Sequence, residues 1–506
     1  MPRVGLIVLL IFVVLAAILA LEIVAYQNGY FGPVISFTPG NRAHTLPPVD
    51  FSTFKMPAPP PPLRPLPDGD VLAARVPAVN AIYQKVRDDA FAAYAHDHPQ
   101  PQSYDEEAHS LLKLLAYLSV RGDFYGECLW QQADAHLQHV NKQCQDPIWC
   151  EMDDVYGLFD AHSSNDNSAR ASTKDVLDFV ASGYPPLLKQ IALRSGIKDL
   201  VIGKNLQHNP LTTSLDALPK LADAAVQNYA QLITDQLPHQ LLFEKAADLL
   251  EAAQNDEPSL QSIAGGIDKA FATSDPTNPI APIIQGQFLV DDAWNARGSG
   301  WANTVTPDGW RLFGERLDKA ETLLTDAYSK NPNEQALCRV MMTVVLGRQE
   351  PHDQMEAWFQ RGIKLDPGYY SIYMAKRWYL LPRWYGSAED VWKFGLECAD
   401  TNNYDAKIPL VLIEAIDDAG RDDPVVYERP DIWGPVEKTF RAYLDKYPDA
   451  LSYRTRFFKC AVDGEHWDVA NEQLKLMNGD WDHSLYNFAE MAPLVQATES
   501  HANPGK

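Results

Sequence analysis

Two clusters of tryptophan and arginine are the side chains of this sequence best suited to chemistry. Trp294, Arg297 and Trp301 surround the flexible Gly298-Ser299-Gly300, and Trp310 follows shortly after. Further along, Trp378, Arg383, Trp384 and Tyr385 gather around Pro382 and Gly386. Tryptophan supplies a flat apolar face, arginine a charged fork, and glycine room for a ligand to reach the backbone. The chemistry these residue types point to is recognition: an arginine in an acidic protein can hold a carboxylate, a phosphate or a peptide terminus. Each cluster also has a plainer explanation. The first can be a loop whose indoles plug an apolar helix end. The second can be an interhelical turn, since Pro382 breaks a helix and Ser387 with Asp390 reads as the cap of the next. The sharper expectation is that the clusters face each other across a groove. Arg297 or Arg383 would then border a pocket partly walled by Trp301 or Trp384.

Other chemistry finds less footing. His136 and His139 sit at i, i+3 with Asp134 and Cys144 nearby, but zinc needs about four converging ligands, and a solvated helix face is the reading adopted. Gly196 to Gly203-Lys204 has the wrong spacing for a phosphate loop, and Asn205 replaces the required Ser or Thr. The acidic pairs Asp153-Asp154 and Asp417-Asp418 are sequence neighbours, which do not share a helix face, so they read as solubility charges rather than as an acid/base pair. No catalytic residue, metal or cofactor is assigned. Of the six cysteines, Cys144 and Cys150 flank a turn-like insert and form the candidate disulfide. Cys338, Cys398 and Cys460 fall in apolar helical patterns as small buried hydrophobes.

The 506 residues carry 43 Lys+Arg against 67 Asp+Glu, a net charge of -24. That balance argues against nucleic acid as a partner, because displacing counterions from phosphates requires a basic face. Hydrophobic residues make up 46% of the chain, enough for a large core and too many for a disordered protein.

The elements that would position the clusters follow from composition and periodicity. Val4–Leu21 carries no charge, and Val4–Tyr26 reaches about 30 Å as a helix, the hydrocarbon thickness of a bilayer. With Arg3 ahead of it and the next basic residue at Arg42, residues 1–26 read as an uncleaved signal-anchor with a cytoplasmic N-terminus and a periplasmic or extracellular body. A cleaved signal peptide is the alternative. Residues 27–77 read as a Pro-rich linker: Pro57, Pro59–Pro62, Pro65 and Pro67 favour an extended polyproline stalk. Phe31, Phe37, Phe51 and Phe54 would pack on the body or at the lipid interface.

From residue 78 the helical period dominates, and the fold class expected is all-α. Helices are expected over 78–95, 108–120, 126–142, 173–194, 216–236, 239–254 and 257–272, within a helical region 78–273. Gly122 should cap the second of them. Leu200-Val201-Ile202 and Phe288-Leu289-Val290 are ambiguous. Residues 274–307 read as an irregular Trp/Gly/Pro loop. Beyond it, Ala320, Leu324, Ala327 and Pro332 have the spacing of the second helix of a tetratricopeptide unit. Phe359, Gly362 and Pro367 repeat that spacing, as do Phe440 and Pro448, and Gly464, Trp467 and Ala470 suggest a degenerate last unit. The reading is a tetratricopeptide-like solenoid over 308–497 and a tail over 498–506.

The stretches AWNARGSGWANTVTPDGW (Ala293–Trp310) and MAKRWYLLPRWYGSAEDVWKF (Met374–Phe394) resemble an uncharacterised bacterial domain of unknown function found in exported or membrane-linked helical-repeat proteins. The resemblance covers about residues 293–399. It implies a helical-repeat fold and a bacterial setting, and no catalytic residues. The expected function is a membrane-anchored, exported scaffold or binding module for a protein or peptide partner, a helical solenoid offering a long concave surface. The alternative is an envelope enzyme acting on a polymer through the Trp/Arg groove.

Overall fold

The computed structural model describes residues 63–144, 173–205, 217–420 and 424–502, together with Leu46, Val49, Phe54, Met56, Trp149 and Met152. Among these residues the chain is all-α, with 20 α-helices and no strand. The expected anchor 1–26, the prolines 57–62, Asp153-Asp154 and Cys150 lie outside the described residues, as does the side chain of Cys144. Among the described residues no helix is long and apolar enough to cross a membrane.

The body begins earlier than the proline content implies. Helix α1 (Gly69–Ala74) falls inside the expected linker, buries Leu72 and Ala73, and is capped by Asp68, which accepts from the Asp70 amide at 2.8 Å. A Cβ at Gly69 would collide with the Lys113 carbonyl, so α1 lies flush on its neighbour. Asp70 then takes Lys113 at 2.8 Å and Arg87 at 2.5 Å. The linker reading is corrected at its C-terminal end: Arg64 already pairs with Asp480 and the chain is helical from Gly69, while Phe54 packs partly buried against the C-terminal core. Proline density masked a short cap-and-helix signal, Asp68-Gly69-Asp70.

Helices α2 (Pro77–Asp97), α3 (Asp105–Arg121) and α4 (Leu129–Cys144) follow close to expectation. Gly122 caps α3 at φ 68, with its amide donating to Leu118 at 2.8 Å. The helix expected over 173–194 is two, α5 (Thr173–Ala181) and α6 (Pro186–Asn205), because Gly183 and Pro185 interrupt the ladder. Gly196 and Gly203 lie inside α6, as does Leu200-Val201-Ile202. Helices α7 (Leu218–Thr234), α8 (His239–Ala253) and α9 (Glu257–Ser274) complete this region.

Half of the irregular loop expected over 274–307 is a helix, α10 (Ala281–Arg297). Its prolines mislead: Pro276 and Pro279 precede it, and Pro282 occupies the first turn, where a missing N–H costs nothing. The helix is buried on several sides through Ile283, Ile284, Gly286, Val290 and Ala293, so it lacks the one-sided stripe that announces a surface helix. A Cβ at Gly286 would sit 2.5 Å from Leu324, a measure of how closely the next helix approaches.

Five helix pairs follow: α11 (Pro307–Lys330) with α12 (Gln335–Gly347), α13 (His352–Leu365) with α14 (Tyr370–Tyr379), α15 (Ala388–Asp400) with α16 (Val411–Gly420), α17 (Pro430–Lys446) with α18 (Leu451–Asp463), and α19 (Trp467–Met477) with α20 (Phe488–Ala502). Ala320, Leu324 and Ala327 are buried on α11, and at Gly362 a Cβ would meet Ile372 of the next helix. Small residues thus stand where helices touch. The expected tail is corrected: α20 runs to Ala502 and buries Thr498 completely.

A second apolar core gathers α17–α20 around Tyr125 from the α3–α4 loop. Tyr443 donates to the Tyr125 carbonyl at 2.9 Å, and the Ser452 amide donates to Gly126 at 2.8 Å. The last helix pairs are therefore fastened to the N-terminal region.

Candidate functional site

The two tryptophan clusters meet. Trp294 stands in the last turn of α10, and Trp384 in the turn between α14 and α15. Their rings cross edge to face, with centroids 5.6 Å apart at 81°. The α14–α15 turn is held in place for this contact. His352 donates to the Tyr385 carbonyl at 2.8 Å, Tyr379 donates to the Glu350 carbonyl at 2.8 Å, and the Tyr379 and Tyr385 rings lie 5.0 Å apart. Ser387 caps α15 by accepting from the Asp390 amide at 3.1 Å, as its spacing indicates.

Beneath this contact lies a cavity of about 640 Å³. Trp294, Trp378 and Trp384 wall it, Met342 and Met374 extend its apolar side, and Arg339 supplies its positive charge. Trp378 is 40% exposed, so it stands at the mouth. Arg339 projects from α12, where it donates to Gln287 of α10 at 2.5 Å; Gln287 in turn donates to Asp291 at 2.8 Å. Desolvation raises the Asp291 carboxyl to about 7, against the pull of Arg339 and Gln287. The lining offers no carboxylate, imidazole or thiol; its hydroxyls, on Ser299, Thr343, Tyr370 and Ser371, have no such base beside them among the lining residues.

The expected arginines take other places. Arg297 packs among three indoles, 5.5 Å from Trp294, 5.4 Å from Trp310 and 5.9 Å from Trp384, and donates to the Gly298 and Gly300 carbonyls at 3.0 and 3.1 Å. It braces the walls from behind and does not line the cavity. Trp301 is 78% exposed and also outside the lining. Arg383 is exposed and lies over the outer Trp378 ring at 4.0 Å. Arg383→Ala is expected to leave stability within about 1 kcal/mol, because an exposed cation–π contact contributes little; thermal melts of the purified protein check this, and a larger loss would make the residue structural.

Asn295, Arg339, Met342 and Met374 complete the site without having been singled out from the sequence. One signal was present for Arg339: it is the single charged residue of α12, QALCRVMMTVVLG. A lone charge in an apolar helix must find a partner or a cavity.

Elsewhere, His136 and His139 converge on Glu107, with His136 Nδ1 at 2.6 Å and His139 Nδ1 at 2.9 Å. His136 is buried and donates through Nε2 to the Arg64 carbonyl at 2.7 Å. The solvated-face reading is corrected: the pair ties the segment before α1 to α3 and α4. Among the described residues no group of three or more His, Cys, Asp or Glu side chains is arranged to hold a metal. Asp417 and Asp418 are likewise more than solubility charges, pairing with Arg456 and with the buried Arg377. Cys338, Cys398 and Cys460 are free and buried, as is Cys128, and burial pushes the first three thiols up to about 11, 12 and 12.

Compared with family models, with curated proteins and with solved structures, the chain matches none.

Proposed function

We propose that the chain is a membrane-anchored, exported, tetratricopeptide-like repeat protein that works as a binding module for a protein or peptide partner. The observation that carries this reading is the cavity walled by indoles from two separate segments. The side chains forming it are large, flat and partly exposed at the mouth, as in recognition surfaces. The small residues at helix contacts and the closing prolines support the repeat reading. The segments that resemble the helical-repeat domain of unknown function, Ala293–Trp310 and Met374–Phe394, are also the ones that contribute the three indoles. The uncharged run Val4–Leu21, with Arg3 before it, supports the anchor and the exported body.

A photo-crosslinking residue placed at Trp378 of the full-length chain tests the module in cells. A discrete protein adduct is expected, lost when Trp294→Ala is added, and absent when the crosslinker replaces the exposed Lys319. If position 378 yields no adduct, or the same adducts as position 319, the module reading fails.

A further inference from the structure

We propose that the indole-walled cavity takes an organic carboxylate, one negative charge carried on an apolar or aromatic body. The inference rests on reading the cavity as a ligand site and adds the class of ligand.

Charge is the first argument. Acidic residues outnumber basic ones by 67 to 43 in this chain, yet no acidic side chain lines the cavity and a guanidinium does. Gln287 hydrogen-bonds both Asp291 and Arg339, and Asp291 itself lies outside the lining. The same Gln287 contact fixes the direction of the guanidinium fork, so little ordering remains to be done when an anion arrives. The indole and methionine faces beside Arg339 lower the local dielectric and so strengthen the attraction.

Hydrogen-bonding capacity is the second. The Nε1 atoms of Trp294 and Trp384 and the Nδ2 atom of Asn295 are buried without a hydrogen-bond partner; their residues line the cavity through other atoms, and a small rotation of each side chain would bring these donors to its surface. An indole N–H is a donor only, and a buried donor left unmet costs about 1–3 kcal/mol. Three such donors in one place are unusual in a folded protein. The complement to donors without acceptors is a group that only accepts, and an ionised carboxylate does only that.

The shape of the lining is the third. Met342, Leu346, Met374 and Ala375 join the indole faces as the apolar part of the wall, while Gln254, Asn255, Ser299, Thr343, Tyr370 and Ser371 make the rest polar. The apolar surfaces favour a hydrocarbon or aromatic body over a compact, strongly hydrated anion. A single guanidinium balances one charge, whereas a phosphate dianion calls for more. The volume of about 640 Å³ lies within the range of small-molecule pockets. The same chemistry is offered by a free organic acid and by the C-terminus of a polypeptide with an apolar last residue.

Titration of the full-length protein, followed by tryptophan fluorescence and calorimetry, tests the proposal with four probes: 3-phenylpropionate, 3-phenylpropionamide, and the peptide acetyl-Gly-Gly-Phe as free acid and as C-terminal amide. Each acid is expected to bind at least about tenfold more tightly than its amide, the scale of one charge-assisted hydrogen bond. Arg339→Gln should remove that preference by weakening the acids alone. Asn295→Asp, which places a carboxylate in the lining and leaves the wall intact, should do the same and guards against misfolding of the Arg339 variant. Binding of 3-phenylpropionate without the peptide would mark a free acid as the source, and tighter binding of the peptide acid a polypeptide terminus; both support the proposal. Equal binding of acids and amides would overturn it. Binding of none of the four, with the Trp378 crosslink intact, would overturn the carboxylate inference alone, whereas loss of the crosslink removes the module reading itself.

Discussion

Arg456→Leu is expected to destabilise the protein by about 2 kcal/mol, less than the roughly 3–5 kcal/mol of a fully buried pair, because the carboxylates it serves are partly exposed. Arg456 projects from α18 with only 14% of its side chain exposed, donates to Glu414 at 2.6 Å, and also pairs with Asp417. Burial opposes its charge, and Asp417 and Glu414 outweigh that opposition. Both carboxylates belong to α16, so the cluster joins one helix pair to another. Tyr427 donates to Asp417 at 3.0 Å, and Arg377 of α14 donates to the Glu414 carbonyl at 2.9 Å and to Asp418 at 2.6 Å. Leucine would fill much of the volume and leave two carboxylates without their cation. Urea denaturation of the variant measures the loss, and Arg456→Lys should recover part of it. A leucine variant as stable as the parent would mean that solvent, rather than Arg456, satisfies those carboxylates.

Stability is also expected to fall as pH rises from about 4 to about 7. Desolvation lifts Asp291 to about 7, and desolvation with the nearby Asp123 charge lifts Glu127 to about 7 as well. In the unfolded chain these groups ionise near 4. Below that pH both states hold the proton and neither group exacts a penalty. Between about 4 and 7 the unfolded chain releases its proton while the folded one keeps it, so unfolding gains ground. Above 7 the loss levels off, at on the order of 4 kcal/mol for each group. Asp123 and Asp292 shift in the same direction through burial. Asp70, held near 2 by Lys113, Arg87 and Tyr83 against its own desolvation, acts only below this window. Lys407, lowered by burial to about 8, acts only above it. Asp291→Asn and Glu127→Gln should each raise the melting temperature at pH 8 and change little at pH 4. Their amide oxygens can still accept from Gln287 and from Arg75, the present partners at 2.8 and 3.0 Å. Flat melting temperatures from pH 4 to 8 in the parent would show that water reaches both carboxyls.

Several expectations from sequence concerned local signals, and those were legible. The apolar period of four in Ala78–Ala95 and the cap at Gly122 depend on residues within a turn or two of each other. Ser387 caps α15, and α14 stops before Pro382, for the same reason. Composition was a poorer guide wherever one residue type plays two roles. Pro282 sits in the first turn of a helix, although it and the nearby Pro276 and Pro279 suggested a loop, and α1 sits beside a proline-rich run. The feature of α10 that defeated its periodicity is burial on more than one side, which depends on what packs around it.

The side chains of the candidate site divide along the same line. Their types were enough to single out Trp294, Trp378 and Trp384 for recognition, because an indole's apolar face and a guanidinium's charge are properties of the residue alone. Which arginine lines the cavity was settled by packing. Arg297 is drawn among the indoles by its neighbours' rings and carbonyls, while Arg339 is brought in from α12, 42 positions further along the chain. The sequence by itself determined an acidic, all-α chain with helices ended by proline and glycine, because charge, period and backbone restriction are local. That α10 and the α14–α15 turn meet around one cavity, with Arg339 brought into its wall, came from the packing of the helices, because such contacts depend on how whole helices stack.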